Sequence, residues 1–178
     1  PRSVSSAASD VYKRQTKYTA VDGTPVLKQA IVNKFKRENN LDYKIDQVTV
    51  GVGGKHVIYN AMMATLNEGD EIIIPAPYWV SYPDIVLLAG GTPIILECNE
   101  KQGFKINPVE LEKLIKPKTK WIILNSPSNP TGACYTEKDI RDIAEVLKKY
   151  PHVYILSDDI YEHVTYEEFK FFTIAQID

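Results

Sequence analysis

Apolar residues recur along this chain in two alternating modes. Short unbroken runs bounded by turn residues read as strands buried on both faces, and apolar residues spaced three and four apart read as amphipathic helices. Leu27, Ala30, Ile31 and Phe35 take the second spacing behind Thr24 and Pro25, a cap and a first-turn proline, so a helix starts there. Gln47–Val52 predicts the first strand, running into Gly51-Val-Gly-Gly-Lys55, and a helix over His56–Leu66 follows. Glu71–Ile74 is a second strand that meets Pro75-Ala-Pro-Tyr-Trp79, and another helix ends near Gly90-Gly91. Thr92–Leu96 is the third strand, and Asn107-Pro108 opens a helix carrying Leu111, Leu114 and Ile115, stopped by Pro117. The run around which the others are arranged is Trp121–Leu124, which enters the loop Asn125-Ser-Pro-Ser-Asn-Pro-Thr-Gly132. Thr136 opens a helix with Ile140, Ile143, Ala144 and Leu147 on one face, and Val153–Leu156 is the last strand. Strands alternating with helices predict an α/β fold: a mostly parallel sheet with helices on both faces.

Composition narrows the function classes. The chain has 178 residues and a formal net charge of -2, which gives no basic footprint for nucleic acid. No apolar run approaches the ~18 to 20 residues of a membrane span. Cys98 and Cys134 are far apart and lack metal-ligand spacing, so no metal site is expected, and reduced thiols in a cytoplasmic protein are the default reading. Residues 1–15 are rich in Ser and Ala and without periodicity. They resemble translated adapter read-through and are expected to be a disordered, non-native leader. Residues 16–178 then form one partial domain of a longer protein.

The candidate chemistry sits at the predicted strand ends, where open α/β sheets bind ligands. Gly53-Gly54-Lys55 lies between a strand and a helix, so its amides and the helix terminus can cradle a phosphate; a plain tight turn is the equal alternative. Two nucleotide motifs fail here: Thr49 replaces the first P-loop glycine, and His56 replaces the third glycine of the dinucleotide pattern. Trp79 offers a ring for stacking, or simply a core residue. Asn129 offers a donor and an acceptor, or an Asx-type turn. Asp158 ends an apolar strand, where a carboxylate needs a positive partner or donors; capping the next segment is its ordinary role, which Asp159 can equally fill. Tyr161 can bring a phenol to the same place. Together these groups suit a planar, phosphorylated, nitrogen-containing aromatic cofactor.

From Lys17 to the last residue the chain resembles class I aminotransferases, fold type I enzymes that use pyridoxal 5′-phosphate, and most closely the bacterial aspartate aminotransferase subgroup. The resemblance is carried by Lys17-Tyr18 with Gly23, Val52-Gly-Gly-Lys55, Pro77-Tyr-Trp-Val-Ser-Tyr-Pro83, Asn125–Gly132 and Ser157-Asp-Asp-Ile-Tyr-Glu162. It implies the truncated large domain of that fold. It further implies that Gly53, Gly54 and Lys55 bind the cofactor phosphate, and that Trp79 stacks on the ring. Asn129 and Tyr161 then hydrogen-bond the phenolic oxygen, and Asp158 pairs with the ring nitrogen. Trp79 and Asn129 also meet the substrate, and Tyr18 reaches the phosphate site of a partner subunit in a homodimer. The implied reaction moves an amino group from an amino acid, aspartate foremost, to a 2-oxo acid such as 2-oxoglutarate.

One departure limits this. No residue after Tyr161 matches the family's Schiff-base lysine, because Lys170 is too near. The catalytic lysine is expected beyond the chain end, and the chain as given is expected to be inactive. Three alternatives remain: a lyase or synthase of the same fold, an aminotransferase-like ligand-sensing domain of a regulator, and a nonfunctional remnant that folds without binding cofactor.

Overall fold

The computed structural model describes residues 18–177; the leader expected over residues 1–15 lies outside them. Helix α1 (Pro25–Asn39) opens as predicted, with Thr24 Oγ1 accepting the Leu27 N–H, and closes on Asn40 in left-handed backbone. Helix α2 (Gly54–Thr65) precedes strand β1 (Glu71–Ala76), and helix α3 (Ser81–Leu88) leads to strand β2 (Thr92–Glu97). Helix α4 (Pro108–Leu114) is capped by the Asn107 side chain, which accepts the Val109 N–H at 2.9 Å. Strand β3 (Thr119–Asn125), helix α5 (Glu137–Leu147) and strand β4 (Tyr154–Asp158) complete the order.

The four strands form one sheet in the order β2-β1-β3-β4, and every neighbouring pair is parallel. Successive side chains on a strand point to opposite faces, which divides the apolar runs between two cores. Ile73, Ile122 and Leu124 pack against Leu111 of α4 and Ile140, Ile143 and Leu147 of α5. Ile72, Ile74 and Ile123 face the other way, onto Ile58 and Met62 of α2 and Ile85 and Val86 of α3. Parallel pairing also places all four carboxyl ends on one edge of the sheet.

Gln47–Val52 is not a strand. Ile45–Gln47 forms a 3-10 turn, and the residues after it lie outside the sheet. The central strands β1 and β3 already have neighbours on both sides. The alternating Val48-Thr-Val50 segment finds its partners elsewhere: Val48 is buried, and the Val50 N–H donates to the Asp22 carbonyl at 2.9 Å. The glycine turn therefore reaches the site from outside the sheet and not from a strand end. Among the described residues no helix is long and apolar enough to cross a membrane.

Candidate functional site

The glycine turn is shaped for close approach. Gly53 precedes α2 with φ 93° and ψ 160°, a backbone region almost confined to glycine. A side chain at Gly51 would bring its Cβ within 2.6 Å of Val57 Cγ2 and 3.1 Å of His56 Nδ1. His56 folds back to accept the Val52 N–H at 3.0 Å, and its Nε2 faces the Asn60 amide at 3.1 Å. His56 thus braces the turn, which explains why a histidine stands where a nucleotide motif would have glycine. The first helical bond runs from Val57 N–H to the Gly53 carbonyl, so the amides of Gly54 and Lys55 have no partner within the helix.

Trp79 lies just before α3 and is half-buried. The Lys55 ammonium sits 5.0 Å from its ring centroid, and Tyr82 meets it edge-on at 5.4 Å and 86°. Tyr82, in the first turn of α3, is 2% exposed, and its hydroxyl donates to Asp158 Oδ2 at 2.6 Å. Burial, and then the Asp158 carboxylate, push the Tyr82 phenol far above its ordinary pKa, so it remains a donor.

Asp158 and Asn125 are register partners at the ends of β4 and β3. Asn125 joins the two loops: its Nδ2 donates to the Asp158 carbonyl at 2.9 Å, and its Oδ1 accepts the Asn129 N–H at 2.8 Å. Asn129 is therefore fixed through its backbone by another asparagine, rather than by an Asx turn of its own. Capping does not account for Asp158 either. Residues 160–163 are turns and no helix directly follows, and the contact from Ile160 N–H to Asp158 Oδ1 is a long 3.4 Å. Asp159 faces away into the fold, accepting Ser157 Oγ–H at 2.6 Å, and burial raises its carboxyl pKa.

Gly53, Gly54, Lys55, Trp79, Asn129, Asp158 and Tyr161 all line one cavity of about 300 Å³. Ile58, Tyr82, Asn125 and Ile160 complete it. A wider, more open hollow of about 630 Å³ adjoins it and shares Asn129 and Tyr161 as walls. Tyr18 is fully exposed and does not line either space. Sequence reasoning missed Tyr82 and Asn125 as site residues. The available signal for Tyr82 was its place three residues after Trp79, in the first turn of the next helix; for Asn125 there was only its position at the end of the central strand.

The lining of the cavity combines the glycine turn with its lysine, an indole ring and a carboxylate. A family model described as aminotransferase class I and II matches residues 3–178. A probable aspartate/prephenate aminotransferase from Rickettsia bellii is 61% identical over 162 residues, which is 91% of this chain and 41% of that protein. The aspartate aminotransferase of Rhizobium meliloti is 51% identical, over 100% of this chain and 44% of its own length. Its crystal structure superposes with a TM-score of 0.92 at 50% identity, covering 97% of this chain and 43% of that one. The Thermus thermophilus aspartate aminotransferase with maleate gives 0.90 at 38% identity, over 96% and 44%. The chain thus spans about two-fifths of the length of the curated relatives it matches.

Proposed function

Because the chain belongs to the class I and II aminotransferase family, we propose that its 300 Å³ cavity holds pyridoxal 5′-phosphate, and that the whole protein transfers an amino group from aspartate to a 2-oxo acid such as 2-oxoglutarate. The observation that carries this reading is that one cavity gathers an anion seat, an aromatic wall and a carboxylate from segments remote in sequence. The donor set fits the cofactor at each end. The amides of Gly54 and Lys55, without a partner among the described residues, and the nearby Lys55 ammonium suit a phosphate dianion. Trp79 suits a flat ring, and Asp158 suits a protonated ring nitrogen.

When bound, the cofactor supplies a protonated pyridine that draws electrons from the substrate's α-carbon. Asp158 holds that ring proton in place, since a carboxylate beside the nitrogen favours its charged form. Asn129 and Tyr161 donate hydrogen bonds to the phenolic oxygen and favour its deprotonated state. Asn129 lines both hollows, which supports a contact of its amide with the substrate carboxylate as well. Trp79 limits the ring to one plane and borders the substrate. The exposure of Tyr18 supports a reach to the phosphate site of a second copy in a homodimer. Residues 16–178 then make up part of the cofactor-binding large domain. A cytoplasmic location fits two free thiols, Cys98 and Cys134. The names of the relatives favour transamination over a lyase or a sensor.

Pyridoxamine 5′-phosphate tests the site, because its amine does not condense with surface lysines. Saturable quenching of tryptophan fluorescence is expected, with inorganic phosphate competing. Asp158→Asn should weaken the pyridoxamine compound by about tenfold or more and leave inorganic phosphate binding unchanged. Failure of the unsubstituted chain to bind would refute the cofactor reading. In the whole protein, aspartate should be consumed only with a 2-oxo acid present; release of ammonia instead would favour a lyase.

A further inference from the structure

We propose that Tyr82 is a positioning residue: its hydroxyl orients the Asp158 carboxylate so that the second oxygen, Oδ1, is aimed at the cofactor's ring nitrogen. The inference deepens the reading above and rests on it. A carboxylate presents four lone-pair directions on two oxygens, and its rotation about the last side-chain bond must be fixed by neighbours if one direction is to point at a ligand. Two described groups touch the Asp158 carboxylate. The Ile160 N–H lies 3.4 Å from Oδ1, too long to fix it. The Tyr82 hydroxyl lies 2.6 Å from Oδ2, the short distance of a charge-assisted bond. Asn125 secures the Asp158 backbone carbonyl and leaves the carboxylate alone.

Tyr82 is itself well fixed. It is 2% exposed in the core beneath α3, and its ring abuts Trp79 edge-on. One side chain therefore references both the stacking ring and the charge partner to the same helix. A planar ligand held between them then meets a carboxylate at a set height and angle. The high pKa of the phenol keeps it in the donor form, so Oδ2 stays engaged and Oδ1 is the oxygen left for the ligand.

The test compares Tyr82→Phe with the unsubstituted 178-residue chain, using pyridoxamine 5′-phosphate and its 1-deaza analogue, in which a C–H replaces the ring nitrogen. The substitution should weaken pyridoxamine 5′-phosphate by about tenfold and leave the 1-deaza analogue unaffected. In an Asp158→Asn background Tyr82→Phe should add no further loss. Equal weakening of both compounds, or of neither, overturns the assignment, the first because it marks a general packing defect. If the unsubstituted chain binds neither compound, the cofactor reading fails and this inference with it. Should Tyr82→Phe not fold, the hydroxyl proton of Tyr82 in the unsubstituted chain decides by NMR. A buried, slowly exchanging signal should move on adding pyridoxamine 5′-phosphate and hold still with the 1-deaza analogue; a signal indifferent to both overturns the proposal.

Discussion

Adjacent carboxylates at the end of β4 meet opposite surroundings. Asp158 opens onto the cavity, with Tyr82 as donor, whereas Asp159 turns inward to Ser157. Burial is the largest influence on Asp159 and raises its pKa; Ser157 and Thr173 pull it down, and Glu162 and Asp158 add to the rise. A carboxyl whose folded pKa exceeds its unfolded value binds more protons when folded, so its contribution falls as pH rises through that interval. Below the ordinary carboxyl value near 4 the penalty is absent, and it grows as pH rises above that value. Asp159→Asn should therefore raise the melting temperature at pH 7, by roughly 2 °C. Thermal melts on lowering the pH should show the advantage shrinking, and a constant difference would refute the burial argument. The two carboxylates differ in how far the sequence could describe them. An acid ending an apolar strand flags Asp158 because the desolvation cost is local. Its orienting phenol is 76 residues away, and no spacing rule links the two.

Among the elements, the turn before α2 places the most demand on one residue. Gly53 has φ 93° and ψ 160°, while neighbouring Gly54 has open space around a would-be Cβ and no positive φ. Gly53→Ala should lose about 1–3 kcal/mol in urea unfolding and weaken inorganic phosphate. Gly54→Ala should be neutral or slightly stabilising, because alanine is the better helix former. Equal losses at both would refute the backbone argument. Helix starts were legible because caps act within three residues: Thr24, Asn107 and Thr136 each accept the N–H of a residue two or three further on. The central strands β1 and β3 were legible because burial on both faces leaves an unbroken apolar run, and the edge strands β2 and β4 were legible from apolar runs that are only partly buried. Gln47–Val52 has a strand's composition yet no place in the sheet. Strand pairing is a property of neighbours, and β1 and β3 take theirs from one another and from β2 and β4.

At the scale of the molecule, α1 is not one of the helices that cover the two sheet faces in the buried cores; Phe35 packs on Tyr43 beside it, and polar ties join it to the segment after β4. Lys34 of α1 pairs with Glu162, across 128 residues, and its Nζ also donates to Asn39 Oδ1 at 2.9 Å. Asn39 donates in turn to Glu162 Oε2 at 3.2 Å. Glu162 directly follows Tyr161, so this network ties α1 to the segment that delivers the cavity phenol. The side chains of Lys34 and Glu162 are only 23% and 16% exposed, so the pair is drier than an ordinary surface bridge. Removing one partner then leaves the other poorly solvated, and the two truncations are unequal. Glu162→Gln leaves Lys34 with Glu38 at 3.8 Å and with Asn39. Lys34→Met leaves Glu162 without its ion-pair partner, bonded to the Asn39 amide and with the Glu38 carboxylate and the His163 ring within 4.8 Å. Lys34→Met should therefore cost about 1–3 kcal/mol in urea unfolding, and Glu162→Gln less. Both should weaken pyridoxamine 5′-phosphate if the tie holds Tyr161 in place. Reversal of the stability order would show that Glu38 and Asn39 do not shelter Lys34, and unchanged ligand affinity in both would disconnect α1 from the cavity.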